Sequence, residues 1–290
     1  MKTSFYFGHE INNASLMRVI LRYTILTIIS ALFIIPLLWM IATAFKTSYQ
    51  MHNQQHIFWP RPWTLDNMIS VFKTTKMARF VMNSILVTAM SMLGAIISTS
   101  LAAFAFGRLK WKGRNAVFLL VFVMMMIPEQ TIMIPQYLIF QKLGLVNTLW
   151  PLILPSWLAA GIGCPMYIFM LRQFILTISP DIDEAAKIDG CGPFKIFLKM
   201  ILPLLTPALG SVLVFSFLGN WNDFLGALIY LNKESSFTIS IGIQYFKMQN
   251  IIDWNRIMCA ALVSVFPALL VLFFGQKHLV KGVNLSASKG

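Results

Sequence analysis

Apolar residues along this chain gather in long unbroken runs, and the charged residues are confined to the gaps between them. Positions 24–45, 80–107, 143–171, 200–222 and 257–276 contain no Asp, Glu, Lys or Arg, and 115–141 contains only Glu129. About twenty apolar residues carry a helix across the hydrocarbon of a bilayer. Barrel strands would be half as long and alternating, and in lipid only helices or closed barrels satisfy the backbone. The pattern predicts an all-α polytopic membrane protein with six transmembrane helices, at about 19–45, 80–107, 115–140, 148–171, 203–231 and 257–277. No Gly/Ser linker, low-complexity tract or internal repeat interrupts it. Residues 1–290 therefore read as a single transmembrane domain, with an extracytoplasmic loop at 46–79 and a structured cytoplasmic loop at 179–202.

The spans carry their own punctuation. Pro36 is expected to kink the first. The second has small residues at Gly94, Ala95, Ser98, Ala102 and Ala103, a face that lets helices approach closely where packing drives association. Pro128-Glu129-Gln130 and Pro135 interrupt the third, because proline removes a backbone donor and crowds the preceding turn. Glu129 then either sits at the outer interface or lines a path, since a carboxylate at membrane depth must face water or protein. Pro151, Pro155, Gly161, Gly163 and Pro165 predict a bend in the fourth. In the fifth, Asn220-Trp221-Asn222-Asp223 puts two amides, an indole and a carboxylate in one turn. A sugar asks for those groups, with polar partners for its hydroxyl edges and an aromatic platform for its C–H face. The same four residues equally suit a role in holding the bundle together or pairing with a sister subunit. Asn83 and Ser84, at the start of the second span, are lesser candidates. Trp157, Tyr167 and Trp254 read as packing or interface residues.

With 58% hydrophobic and 11% charged residues, the chain is too apolar for an ordinary soluble domain. The net charge of +13 invites a nucleic-acid reading, but its distribution argues against one. With the N-terminus inside, fourteen of the 23 Lys and Arg fall in inner segments, four of them within 108–114. That asymmetry is the positive-inside pattern of a membrane protein, so no nucleic-acid partner is expected. Ala42-Thr43-Ala44 looks like a signal-peptide cleavage site, but the apolar run before it is too long for such a peptide. It reads as a retained helix. Trp59-Pro60-Arg61-Pro62-Trp63 fits an interfacial aromatic belt or a partner-contacting surface. Cys164, Cys191 and Cys259 lack metal-ligand or disulfide spacing. The histidines His9, His52, His56 and His278 are scattered, and His52 with His56 makes a poor metal site without further ligands. A membrane enzyme would cluster His or carboxylates. An ion-driven secondary transporter would show inverted repeats and paired intramembrane carboxylates, for which Glu129 and Asp223 are the only candidates.

The cytoplasmic loop is a polar island with its own helix signals. Ser179-Pro180-Asp181 is a helix start, and Asp181, Asp183 and Glu184 suit the positive end of the helix dipole. Gly190 ends that helix, and Gly192-Pro193 starts another. The second carries Phe194, Phe197, Leu198 and Ile201 as an amphipathic stripe, and Leu202-Pro203 closes it. Ala185 and Ala186 form a small flat patch that favours close approach of a partner backbone. A helix lying on a bilayer would carry Lys and Trp at its edges instead.

Glu184-Ala185-Ala186-x-x-Asp189-Gly190, followed by Ile201-x-Pro203, resembles the EAA signature of ABC importer permeases. Pro128, Pro135, Leu143-Gly144-Leu145-Val146-Asn147-Thr148, Asn220-Trp221-Asn222-Asp223-Phe224 and the tail ending Ser288-Lys289-Gly290 are similar to the carbohydrate-uptake, maltose-type (MalG-like) branch. The resemblance implies the MetI-like permease fold of a type I importer in the cell membrane, with both termini cytoplasmic. It implies a second permease subunit, two copies of a cytoplasmic ABC ATPase and an extracytoplasmic solute-binding protein that delivers a sugar. ATP and Mg would be bound by the ATPase. This chain has no phosphate-cradling Gly-x-x-x-x-Gly-Lys-Ser/Thr, and is expected to be a transport subunit without a catalytic site, metal or cofactor of its own. By the resemblance, Asp183, Glu184, Ala185, Ala186, Asp189, Gly190, Phe194, Ile201 and Pro203 form the ATPase-coupling set, with Glu184 the charged anchor and Gly190 the turn. Asn83, Glu129, Asn220, Trp221, Asn222 and Asp223 are the candidate substrate pathway. Closure of the ATPase would switch the path from outward to inward access. A permease for a non-sugar solute is the alternative. Cys191 stands where the family usually has Ala, and the tail from Gly282 to Gly290 is looser than the family's ending.

Overall fold

A computed structural model describes residues 13–53, 58–248 and 253–287, with side chains placed except at 13–15, 245, 247–248 and 278–287. The histidines His9 and His56 and the terminal Ser288-Lys289-Gly290 lie outside the described residues, and the His278 side chain is not placed. Regular secondary structure among the described residues is helical, with no β-strand among them. Three helices are long and apolar enough to cross a membrane, within 16–44, 77–107 and 254–277, or up to five spans if each of two sharply bent pairs counts as one. Contacts divide the chain into two units, Met1–Val71 with Asp253–Leu262, and Phe72–Ile252 with Val263–Gly290.

In the first unit, α1 (Asn13–Ala44) runs through Pro36 without a break in the helix. Two asparagines tie down its end. Asn67 Nδ2, from α3 (Asp66–Thr74), donates to the carbonyls of Ala44 and Lys46 at 2.9 and 2.7 Å, and Asn255 Nδ2 donates to Lys46 O at 2.5 Å. These bonds satisfy carbonyls that a helix end leaves without partners. The Lys46 side chain is fully buried, its Nζ 4.7 Å from the centre of the Trp39 ring, and desolvation pushes its pKa down. Between them α2 (Ser48–Asn53) is opened by a reciprocal cap. Thr47 N–H donates to Gln50 Oε1 at 2.9 Å, and Gln50 N–H to Thr47 Oγ1 at 3.2 Å. The Trp/Pro segment folds onto its own aromatics, with Trp63 5.0 Å from Trp59 and 5.3 Å from Phe45, centre to centre.

The second unit is organised on α4 (Met77–Gly107), which packs against α7 (Trp150–Trp157), α8 (Cys164–Thr177) and α12 (Thr206–Trp221). The small face predicted for the second span forms part of this contact. A Cβ at Gly94 would lie 2.5 Å from the Trp157 ring, and Ser91 and Ser98 donate to Leu152 O and Ser156 O at 3.1 and 2.8 Å. Toward the C-terminus, α15 (Trp254–Ala287) approaches α12 at Gly275, where a Cβ would meet Val214 at 2.4 Å.

The third, fourth and fifth predicted spans are not continuous helices. The third is α5 (Arg114–Met126) and α6 (Glu129–Lys142), bent by 101°. Ile127 is extended (φ −76°, ψ 120°) because proline disfavours helical geometry in the residue before it. The fourth is α7 and α8, separated by a turn in which Ala159 and Gly163 have φ of 57° and 74°. The fifth stops at Trp221 and resumes as α13 (Leu225–Tyr230) after a turn at Asn222–Phe224.

Candidate functional site

The loop at 179–202 folds as the sequence predicts, into two short helices. α9 (Asp181–Ile188) begins where the Ser179 hydroxyl donates to Asp181 Oδ2 at 2.8 Å and accepts from Asp181 N–H at 3.3 Å. It closes on Gly190, whose φ of +74° is open to glycine at little cost. There Cys191 N–H reaches back to Ala186 O at 2.9 Å and Gly190 N–H to Lys187 O at 3.0 Å, the paired closure that uses up terminal carbonyls. α10 (Pro193–Ile196) passes into a widened π turn at Phe197–Ile201, then α11 (Leu202–Leu204). Pro203 supplies the cause. It has no N–H and crowds the carbonyl four residues earlier, which a five-residue turn relieves. The α10–α11 segment then meets α12 at 78°.

Two faces of this loop differ sharply. The inner face is packed: Ala186, Ile196, Phe197, Ile201 and Leu205 are buried in one cluster with Ala103 and Phe104 of α4 and Leu171 and Ile175 of α8. The Phe104 and Phe197 rings lie 5.3 Å apart. Arg108, just past the end of α4, clamps the loop's entrance. Its Nη2 donates to Ile178 O at 2.7 Å and Ser179 O at 3.4 Å, and its Nε lies 3.1 Å from Asp183 Oδ2. The two side chains are 9% and 12% exposed, so this ion pair is far less screened than a surface one. The outer face is bare. Glu184, Ala185, Lys187, Asp189 and Gly190 are exposed, and Ile188 and Phe194 present 86% and 65% of their surface. Of the nine coupling candidates, Asp183, Ala186 and Ile201 therefore face inward, while Glu184, Ala185, Asp189, Gly190, Phe194 and Pro203 are exposed. Ala185 and Ala186 do not share a patch. Sequence reasoning treated Arg108 only as a topology charge and passed over Ile188. An apolar residue at the last position of so polar a helix was the available signal.

The second constellation is a cavity of about 340 Å³ formed where the broken helices meet. Glu129, in the first turn of α6, and Asp223, in the turn after α12, both line it, with Gln136, Tyr230 and an apolar wall that includes Met133 and Pro155. Tyr230 is 4% exposed, its ring stacked at 6.2 Å on Tyr137, and its hydroxyl has no hydrogen-bond partner. Asp223 also serves the fold, its Oδ1 accepting from Gly226 N–H at 2.9 Å to cap α13. The other pathway candidates lie elsewhere. Asn220 is buried and donates to Ser216 O within its own helix at 2.7 Å, and Trp221 Nε1 donates to Ser264 O of α15 at 2.9 Å. Asn222 is exposed, donating to Leu218 O at 2.9 Å. Asn83 Nδ2 donates to Ser235 O and Phe237 O at 3.1 and 2.9 Å, securing a distant segment to α4. The four residues of the fifth-span cluster thus point to different neighbours, and Asp223 alone reaches the cavity. Gln136 and Tyr230 were not singled out in the sequence. A polar tip on an otherwise apolar span was the only sign of either.

Comparisons with known proteins show the chain's family and fold. The arabinooligosaccharides transport system permease protein AraQ of Halalkalibacterium halodurans is 30% identical over 260 residues, covering 89% of this chain and 91% of its own. The sulfoquinovosyl glycerol transport system permease protein SmoH of Agrobacterium fabrum is 28% identical over 270 residues, covering 93% and 94%. A chain in the crystal structure of a bacterial ABC transporter involved in import of the acidic polysaccharide alginate superposes with a TM-score of 0.81. It is 18% identical, with 95% of this chain and 99% of that one covered, a likeness of fold. The profile described as "Binding-protein-dependent transport system inner membrane component" matches residues 94–285, from the middle of α4 to the end of α15. The chain belongs to the family of binding-protein-dependent transport system inner membrane components.

Proposed function

We propose that this chain is one of two permease subunits of an ATP-driven, binding-protein-dependent importer of a sugar or oligosaccharide, with the bare face of its cytoplasmic loop seated in a separate ATPase. It crosses the membrane six times, the three broken segments each making one span, and keeps both termini in the cytoplasm. A second permease completes the pathway, two copies of the ATPase bind ATP and Mg, and an extracytoplasmic protein delivers the cargo. The observation that carries this reading is the contrast between the loop's two faces. Asp183, Ala186, Phe197 and Ile201 fasten it to α4 and α8, while Glu184 and Ile188, one turn apart on α9, and Phe194 of α10 stand exposed. Large exposed apolar side chains on so polar a loop, fixed on a packed base, suit a protein partner better than water. A saccharide cargo is supported by the relatives named for arabinooligosaccharides, sulfoquinovosyl glycerol and alginate.

The test is a Glu184→Lys, Phe194→Asp double variant in the intact complex. ATP-driven uptake and co-purification of the ATPase should each fall about tenfold, roughly 1.4 kcal/mol of coupling, while membrane insertion and recovery of the second permease stay unchanged. Uptake at the wild-type rate with the ATPase still bound would remove the loop from the coupling role.

A further inference from the structure

The cavity is electrically one-sided. Two carboxylates, Glu129 and Asp223, face it, and no Lys, Arg or His is among its lining residues. Gln136 adds an amide, and the buried Tyr230 hydroxyl, with no protein partner, adds a further polar group beside it. A buried hydroxyl without a hydrogen bond costs about 1–3 kcal/mol, so a native structure retains one where a ligand or water completes it. The remaining lining is apolar, much of it thioether and proline ring, which favours C–H faces over charge. Carboxylates accept hydrogen bonds and cannot donate them. A ligand that fits must therefore be rich in donors, must offer apolar faces between them, and must not be an anion. A third negative charge brought into this space meets two carboxylates, with no cationic side chain of this chain in the lining to offset them.

We propose that this cavity is a subsite for an uncharged or amine-bearing saccharide, and that it rejects uronate, sulfonate and phosphate sugars. The proposal rests on the importer reading and narrows it. Neither a shared fold with an importer of an acidic polysaccharide nor 28% identity to a permease named for sulfoquinovosyl glycerol carries an acidic cargo over, because the selectivity lies in side chains and not in the backbone course.

The field in the cavity can be read without knowing the cargo. Gln136→Cys is introduced into a Cys191→Ser background, leaving Cys164 and Cys259, which are buried. In native membranes the new thiol is reacted with three methanethiosulfonates of similar size, cationic (trimethylammonium), neutral (hydroxyethyl) and anionic (sulfonate). Each rate is divided by that reagent's rate with a free thiol in water. The cationic reagent should exceed the anionic one by at least about tenfold, as a cleft lined by one sign of charge concentrates counter-ions. Glu129→Gln should shrink the ratio, and Glu129→Gln with Asp223→Asn should bring it near one. Both substitutions keep the side chain's shape. In Asp223→Asn the amide oxygen still accepts from Gly226 N–H when it takes the place of the carboxylate oxygen that does so now.

Equal normalised rates in the parent, or a ratio that survives both substitutions, would overturn the proposal. So would ATP-dependent uptake, requiring this chain, of a uronate or sulfonate sugar at the rate of its neutral counterpart. Failure of the importer reading looks different: no sugar of any charge is taken up in an ATP-dependent way, whatever the thiol rates.

Discussion

The loop at 179–202 and the cavity are built on opposite plans. The loop is fixed by side chains. Asp183 meets Arg108, Phe197 meets Phe104, and a continuous apolar cluster lies beneath them. Its outer face, with Glu184, Ile188 and Phe194, is left free. The cavity is fixed by backbone interruptions at Pro128, at Ala159–Gly163 and at Asn222–Phe224, and its polar groups make few bonds with one another. A surface that must transmit force needs a stiff mounting. A space that must admit and release a solute needs walls whose hydrogen bonds are not already taken. Both regions depart from plain transmembrane helix, but one is over-determined and the other under-determined.

Loosening the loop's mounting should have the largest effect. Arg108→Ala leaves Asp183 partly buried without its ion-pair partner, a change that costs about 3–5 kcal/mol when a buried pair is broken. ATP-driven uptake should fall by more than tenfold, and protease cleavage near Ser179–Pro180 should become faster in membranes. Asp183→Asn, which keeps the shape and removes the charge, should do less. Equal protease resistance in Arg108→Ala and the parent would show that packing alone holds the loop.

Next comes the contact between α4 and α7. Gly94→Leu drives a side chain into the Trp157 ring, and overpacking of this kind costs about 1–3 kcal/mol. The thermal midpoint of the detergent-purified complex should drop by several degrees, and Trp157→Ala in the same chain should restore part of it. No recovery would mean that the strain is taken up elsewhere.

The smallest effect is expected at Gly190→Ala. A Cβ there meets nothing within 4 Å, so the cost is only that of a left-handed backbone in a non-glycine residue, about 1–2 kcal/mol. ATPase binding should weaken by about tenfold or a little more, with no change in protein level. A loss of several hundredfold would mean that the ATPase packs directly on Gly190.

Much of the loop was legible in advance because its signals are local. A serine and proline before three acids, a glycine at the end and a Gly-Pro restart specify two helices within twenty residues, and the structure follows them closely. The inward and outward division was not legible. It depends on Arg108, some seventy residues away in sequence, and on which turn of α4 the loop lands. The fifth-span cluster shows the same limit. Asn220, Trp221, Asn222 and Asp223 are neighbours in sequence, but helical rotation of about 100° per residue sends them to different surroundings. The breaks were visible as prolines and glycines, though their angles were not. A bend of 101° at Pro128 needs the extended Ile127 as well as the proline.

α4 has the proportions of a lever. It is an uninterrupted rod of 31 residues, about 46 Å long at 1.5 Å per residue. Ser91 on it bonds Leu152, a residue of the cavity wall, and Arg108 at its end holds the cytoplasmic loop. With its pivot near Arg108, a tilt of about 10° would move Ser91, about 25 Å along the rod, by about 4 Å. A modest rotation imposed at the Arg108 end would thus displace the cavity wall at Leu152 without any helix unfolding.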